Sequence, residues 1–257
     1  KLNFLGSALY VAAHPDDEAL GVGGTLIKHA KMGDSVNIII MSDGEGSKDN
    51  KKDFNKNRKN IAKQWAEFTG CNLYKQYDFP DQKFDSIPRL NIIKSLEEDL
   101  FKIKPDIVYT HHPMDLNIDH KITSEVVLTA LRPMSKFHSC KTILSFETPS
   151  SSDQMPQITP FIFTPNHYLN IRDIWKKKIT SLKFYKKELL SKTILRLKKY
   201  HTNHHNTLNI SIKYFLMLCL DCLFLFFAFF ELYPTDSLLE NLKILVCKLD
   251  LHLSFEI

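Results

Sequence analysis

Cysteine is scarce and scattered in this chain. Cys71, Cys140, Cys219, Cys222 and Cys247 suggest no disulfide framework, and a reducing, cytoplasmic compartment fits them best. Cys219 and Cys222 have redox or metal spacing but lie in an apolar run without a second pair, so they read as two small buried thiols. Internal repeats are absent, which removes solenoids and propellers. A net charge of +5 without any aromatic-basic motif excludes a specific nucleic-acid module and leaves weak nonspecific attraction, to which a polyanionic sugar carrier would also respond. No signal-peptide pattern precedes the first strand-like run, although a chain beginning at Lys1 leaves room for residues upstream. With 44% hydrophobic and 25% charged residues, the 257-residue chain has the composition of a folded core: one large α/β domain, or a core with an appendage.

What is present concentrates in one turn. The apolar run Ala8–Ala13 leads into His14-Pro15-Asp16-Asp17-Glu18, followed by a helix-like stretch from Glu18 to Lys31. Strand, polar loop and helix in that order form the βα unit of an open parallel sheet, where ligands bind beyond the carboxyl ends of strands. His14 and Asp17, three residues apart, can aim an imidazole and a carboxylate at one point, a donor pair that suits zinc. Asp16, aimed at the open coordination position, would accept a proton from a water acidified there. Pro15 stiffens the turn, and Glu18 opens the helix, where its charge is favoured. The bland alternative for this turn is an acidic loop capping a helix.

Two more strand candidates point the same way. Val36–Met41 ends in Ser42-Asp43-Gly44-Glu45-Gly46. Asp106–Thr110 leads into a segment from His111 to His120 that carries His111, His112, Asp115, Asp119 and His120. Three strands thereby deliver polar groups to one sheet edge, and a Rossmann-like, mostly parallel sheet flanked by helices is the expected fold.

These residues resemble the zinc-dependent PIG-L/LmbE-type deacetylases, which remove acetyl from N-acetylglucosamine-like sugars. The resemblance rests on Ala13-His14-Pro15-Asp16-Asp17-Glu18, on Gly21-Val22-Gly23-Gly24, on a helix from Arg58 to Gly70, on Phe79-Pro80-Asp81-Gln82 and on Asp115 to His120, and covers residues 8 to about 190. Thr148 to Ser151 and Trp175 to Lys178 are similar to members linked to surface polysaccharide synthesis. The resemblance implies zinc on His14, Asp17 and His120, Asp16 as general base, Asp119 orienting His120, and Arg58 and Asp81 holding sugar hydroxyls or a phosphate. Many members carry a histidine where this chain has Asn117. An asparagine amide donates a hydrogen bond to an oxyanion without the full positive charge, and His111 or His112 are alternative suppliers. Asn117 is similar to the polysaccharide-linked members and reads as a subfamily variant. Alternatives to sugar deacetylation are hydrolysis of another N-acyl amide and a non-catalytic sugar-binding or membrane-tethered scaffold. A histidine–aspartate site also accepts iron or cobalt.

The catalytic domain is expected over residues 1–205, with an apolar C-terminal tail over 206–257. Lys176 to Tyr200 carries ten Lys or Arg against one acid, with apolar residues at near-helical spacing, and reads as a basic amphipathic helix packed on the sheet rather than on a membrane surface. Tyr214–Phe230 is apolar except for Asp221. As a helix its 17 residues would span about 25 Å, so a bilayer and a protein core or oligomer interface are equal alternatives, and membrane association stays open. Asn50 to Asn60 reads as an exposed loop, and His201, His204 and His205 as a linker cluster.

Overall fold

The computed structural model describes residues 6–42, 44, 58–133, 140–149, 151–156 and 158–185. The calls on the tail 206–257, the apolar run 214–230, Cys219, Cys222, Cys247, the linker histidines and most of the 50–60 loop lie outside them. Among the described residues, no helix is long and apolar enough to cross a membrane.

Five strands, β1 (Ser7–Ala12), β2 (Ser35–Ser42), β3 (Asn72–Phe79), β4 (Ile107–His111) and β5 (Thr142–Phe146), form one all-parallel sheet in the order β3-β2-β1-β4-β5. Alternation along β1 sorts its side chains into two layers. Ala8, Tyr10 and Ala12 join Val36, Ile38 and Ile40 on one face, under Leu26, Trp65 and Ala66. Leu9, Val11 and Ala13 join Ile39 and Met41 on the other, under Ile92, Leu96, Ile122 and Val126. A strand buried on both faces needs apolar residues at every position, which is why β1 reads as a continuous run and not as an alternation.

The helices α1 (Asp17–Leu20), α2 (Gly23–Met32) and α3 (Arg58–Thr69) belong to the first layer, with α6 (Trp175–Leu182), and α4 (Arg89–Ile103) and α5 (Ile118–Ala130) to the second. The helix expected from Glu18 to Lys31 is broken at Gly21-Val22. A β-carbon on Gly21 would lie 2.6 Å from the Phe146 ring, so the chain passes β5 only because no side chain is there. The expected helix ending at Gly70 is observed as α3, with Gly70 at φ 88° closing it.

The start of the basic helix is observed as α6 and is packed against the domain: Leu182, Phe184 and Tyr185 pack on the first layer. Two lysines of its Lys-Lys-Lys run reach helix ends, Lys177 Nζ to Thr69 O at 3.2 Å and Lys178 Nζ to Ala19 O. Cations at the carbonyl ends of helices are electrostatically favoured, so the charge of these two lysines is structural.

Strand order reverses between β1 and β4. Their carboxyl ends therefore flank a crevice, and the loops after them are Ala13–Asp16 and His112–Asn117.

Candidate active site

The crevice brings together the residues named from the two strand ends. His14 Nδ1 lies 3.2 Å from His120 Nε2 and 3.5 Å from Asp17 Oδ2, and His120 Nε2 lies 3.3 Å from the same Asp17 oxygen. All three residues are buried. Ligand atoms about 2.0–2.1 Å from a tetrahedral zinc would stand ~3.3–3.4 Å apart, so this triangle has the dimensions of one face of such a site. Three lone-pair atoms also repel one another unless a proton or cation lies among them. The set can therefore hold a divalent metal with one face left open.

Each histidine is steered by a carboxylate on its other ring nitrogen. His14 Nε2 faces Asp119 Oδ2 and Asp81 Oδ1, both at 3.1 Å. His120 Nδ1 stands 3.3 Å from Asp115 Oδ2, at ion-pair distance but off hydrogen-bond alignment. This corrects the expectation for Asp119, which serves His14 and not the adjacent His120. Asp119 is itself fixed by the backbone N–H groups of Gln82 at 2.7 Å and Phe84 at 3.1 Å. Asp81, expected at the substrate, is buried against His14, so its observed contact is with a candidate ligand. Asp115 was legible only as part of the segment. It accepts from Ser151 Oγ and from Asn117 N at 2.8 Å.

Ionisation follows this arrangement. Burial pushes the His14 and His120 rings toward neutrality, but the carboxylates outweigh it and both are raised above the ordinary histidine value: Asp119, Asp17 and Asp81 act on His14, Asp17 and Asp115 on His120. Asp17, although buried, is held well below the usual carboxylate range chiefly by the charge on His120. His111 is pushed down to about 4, by burial and by the neighbouring His120. It accepts from Ala13 N–H through Nε2 at 3.0 Å, so Nδ1 carries the proton and donates to Thr148 Oγ1 at 3.1 Å. Its ring stacks on His120 with centroids 3.9 Å apart. His111 is a neutral platform for His120 with both nitrogens engaged, so it does not supply the imidazole missing at Asn117. His112 donates to Phe161 O at 3.2 Å and packs edge-on to Phe163.

Asp16 adopts φ 115°, a left-handed conformation that costs a residue with a β-carbon roughly 1–3 kcal/mol. Such strain concentrates where a side chain must be aimed against local preference. The Asp16 N–H donates to Glu18 Oε2 at 3.0 Å, and Glu18 Oε1 accepts from Tyr185 OH. Burial pushes the Glu18 carboxyl up to about 8. Glu18 is thus structural, as expected, although its partner Tyr185 is legible in the sequence only as part of the apolar face of the basic helix.

Arg58 is buried at the start of α3 and donates to Gly44 O. Gly44, at φ 69°, packs so closely that a β-carbon would meet Arg58 Nη1 at 2.6 Å and Pro15 Cδ at 2.8 Å. The guanidinium therefore braces Gly44 against Pro15 of the acidic turn. Asn117 caps α5, its Oδ1 accepting from Asp119 N at 2.9 Å. That bond leaves its NH2 as the side chain's donor. Met114 and Leu116 on this loop and Ile118 at the start of α5 are exposed.

A doubly wound parallel sheet with a buried histidine–aspartate triangle at its switch point defines a class of α/β protein whose site could hold a metal with one face open. The comparisons specify it further. The family model for PIG-L, GlcNAc-PI de-N-acetylase, matches residues 9–131. A protein of Escherichia coli K12 named uncharacterized deacetylase YaiS is 31% identical over 157 residues, which span 58% of this chain and 78% of that one. This chain belongs to the PIG-L family. Among solved structures, N,N'-diacetylchitobiose deacetylase from Pyrococcus horikoshii aligns over 70% of each chain with a TM-score of 0.56 and 21% identity. GalB, a 4-carboxy-2-hydroxymuconate hydratase from Pseudomonas putida KT2440, aligns over 80% of this chain and 92% of its own, with a TM-score of 0.58 and 19% identity. At these identities the likeness shows the fold. A deacetylase and a hydratase sharing it means that the chemistry must be argued from the site.

Proposed function

We propose that the protein is a metal-dependent hydrolase that removes the acetyl group from an N-acetylglucosamine-type amino sugar, with zinc held by His14, Asp17 and His120. The observation that carries this reading is the 3.2–3.5 Å triangle of those three residues beside the strained Asp16. Family membership and the named deacetylase relative support the reaction type.

When bound, the metal would acidify a water and polarise an amide carbonyl. Asp16 accepts the proton from the attacking water and returns it to the nitrogen of the leaving amine. Asp119 and Asp81 keep the Nε2 side of His14 engaged, so its Nδ1 stays turned to the open site. Asp115 and the His111 ring do the same for His120. The Asn117 amide donates to the developing oxyanion as a neutral group. Arg58 holds the wall beside the acidic turn, and sugar hydroxyls or a phosphate approach along it. Asp81 acts first on His14.

Acetate release from a panel of N-acetylglucosamine derivatives, before and after chelation and after return of zinc, tests the proposal. Release that disappears on chelation and returns with about one zinc per chain supports it. Metal binding without acetate from any sugar turns the reading toward another N-acyl amide or a sugar-binding relative.

A further inference from the structure

We infer that Tyr185 and Glu18 are positioning residues that fix the backbone of Asp16, so that the segment after α6 shapes the reaction without touching substrate. The inference rests on the proposed role of Asp16 as proton acceptor.

Asp16 sits in a conformation that its β-carbon disfavours, and such a turn persists only when its surroundings over-determine it. On the carbonyl side, Asp16 O accepts from Ala19 N at 3.1 Å and Leu20 N at 3.0 Å, the ordinary bonds of the helix that follows. On the amide side the N–H has no helical partner, and Glu18 Oε2 accepts it at 3.0 Å. The other oxygen of Glu18 is held by the Tyr185 hydroxyl, 167 residues along the chain. Both side chains are buried, so water does not substitute for either bond. Lys178, within α6 itself, makes a second contact one residue on, its Nζ donating to Ala19 O. Residues 178–185 thus grip α1 at two consecutive positions. One of those grips continues through a carboxylate to the amide of the residue whose side chain must face the water.

Removing the hydroxyl frees one end of Glu18, and the Asp16 amide then loses a fixed acceptor. The turn relaxes toward an unstrained conformation, and the Asp16 carboxyl turns with it. The three candidate ligands keep their own carboxylate and ring contacts, so metal affinity and substrate affinity stay.

The experiment uses the full chain loaded with zinc, in wild-type form and as Tyr185→Phe, Glu18→Met and Glu18→Gln, where glutamine keeps an oxygen acceptor. Single-residue amide hydrogen exchange is measured alongside kcat, KM and metal content. Tyr185→Phe and Glu18→Met are expected to speed exchange at Asp16 at least tenfold, with Val11 and Ile39 unchanged. They should lower kcat tenfold or more with KM and zinc content within twofold. Glu18→Gln should recover most of kcat. Unchanged Asp16 exchange in Tyr185→Phe overturns the inference. So does zinc loss parallel to kcat, or a Glu18→Gln as impaired as Glu18→Met. Should Glu18→Met fail to fold, Tyr185→Phe carries the same readouts. A wild type inactive on every acetamide counts against the deacetylase reading alone, because the exchange measurement still reports whether Tyr185 holds the Asp16 amide.

Discussion

Asp119 Oδ2 lies 3.1 Å from His14 Nε2, joining residues 105 positions apart, while Asp119's neighbour His120 turns instead toward Asp115. Consecutive residues on a helix project about 100° apart, so Asp119 and His120 at the start of α5 cannot serve each other.

Asp119→Asn should therefore act on metal binding through His14. The amide cannot accept from His14, Gln82 N and Phe84 N together, and zinc affinity is expected to fall by roughly 10–100-fold. Competition with a chromogenic chelator measures it. Unchanged affinity would mean that the carboxylate is not needed to hold the ring.

Metal binding should tighten as pH rises. His14 and His120 are raised above the ordinary histidine value in the metal-free site, so a metal must displace protons they retain to higher pH. The sign for folding is opposite. These raised values stabilise the metal-free fold fully below the unfolded histidine value of about 6.5, and that stability is lost as pH rises through the folded values. Cobalt titrations at pH 6 and pH 8 should show stronger binding at pH 8, with proton release. Equal affinities would contradict the ionisation described.

Gly21→Ala should destabilise the fold by about 1–3 kcal/mol, because the new methyl meets the Phe146 ring where α1 passes β5. A lower urea midpoint is the expected result. An unchanged midpoint would show that the ring has room to move.

Cys71 should be slow to alkylate in the native protein at pH 8. It is nearly buried, and burial pushes its thiol up to about 11, leaving little thiolate. Peptide mapping after iodoacetamide treatment should show modification at position 71 mainly in unfolded protein.

The strand ends were legible because they obey local rules. Continuous apolar runs mark β1 and β4, and polar residues directly after them fall at the switch point. His14, Asp17 and His120 accordingly meet where the sequence and the resemblance put them together. What was not legible depends on packing between distant segments. The need for glycine at position 21 is set by Phe146, the service of Asp119 and Asp81 to His14 by how the loop at Gln82 folds over α5, and the grip on Glu18 by Tyr185. By sequence His111 reads as a spare imidazole, whereas in the fold Ala13 and Thr148 engage its two nitrogens.

The most direct test compares acetate release by wild type and Asp16→Asn at equal zinc content, with N-acetylglucosamine derivatives as substrates. A proton acceptor contributes about 10²–10⁴-fold, so Asp16→Asn should lose activity by that factor while keeping about one zinc per chain. An Asp16→Asn protein that releases acetate at the wild-type rate would contradict the account.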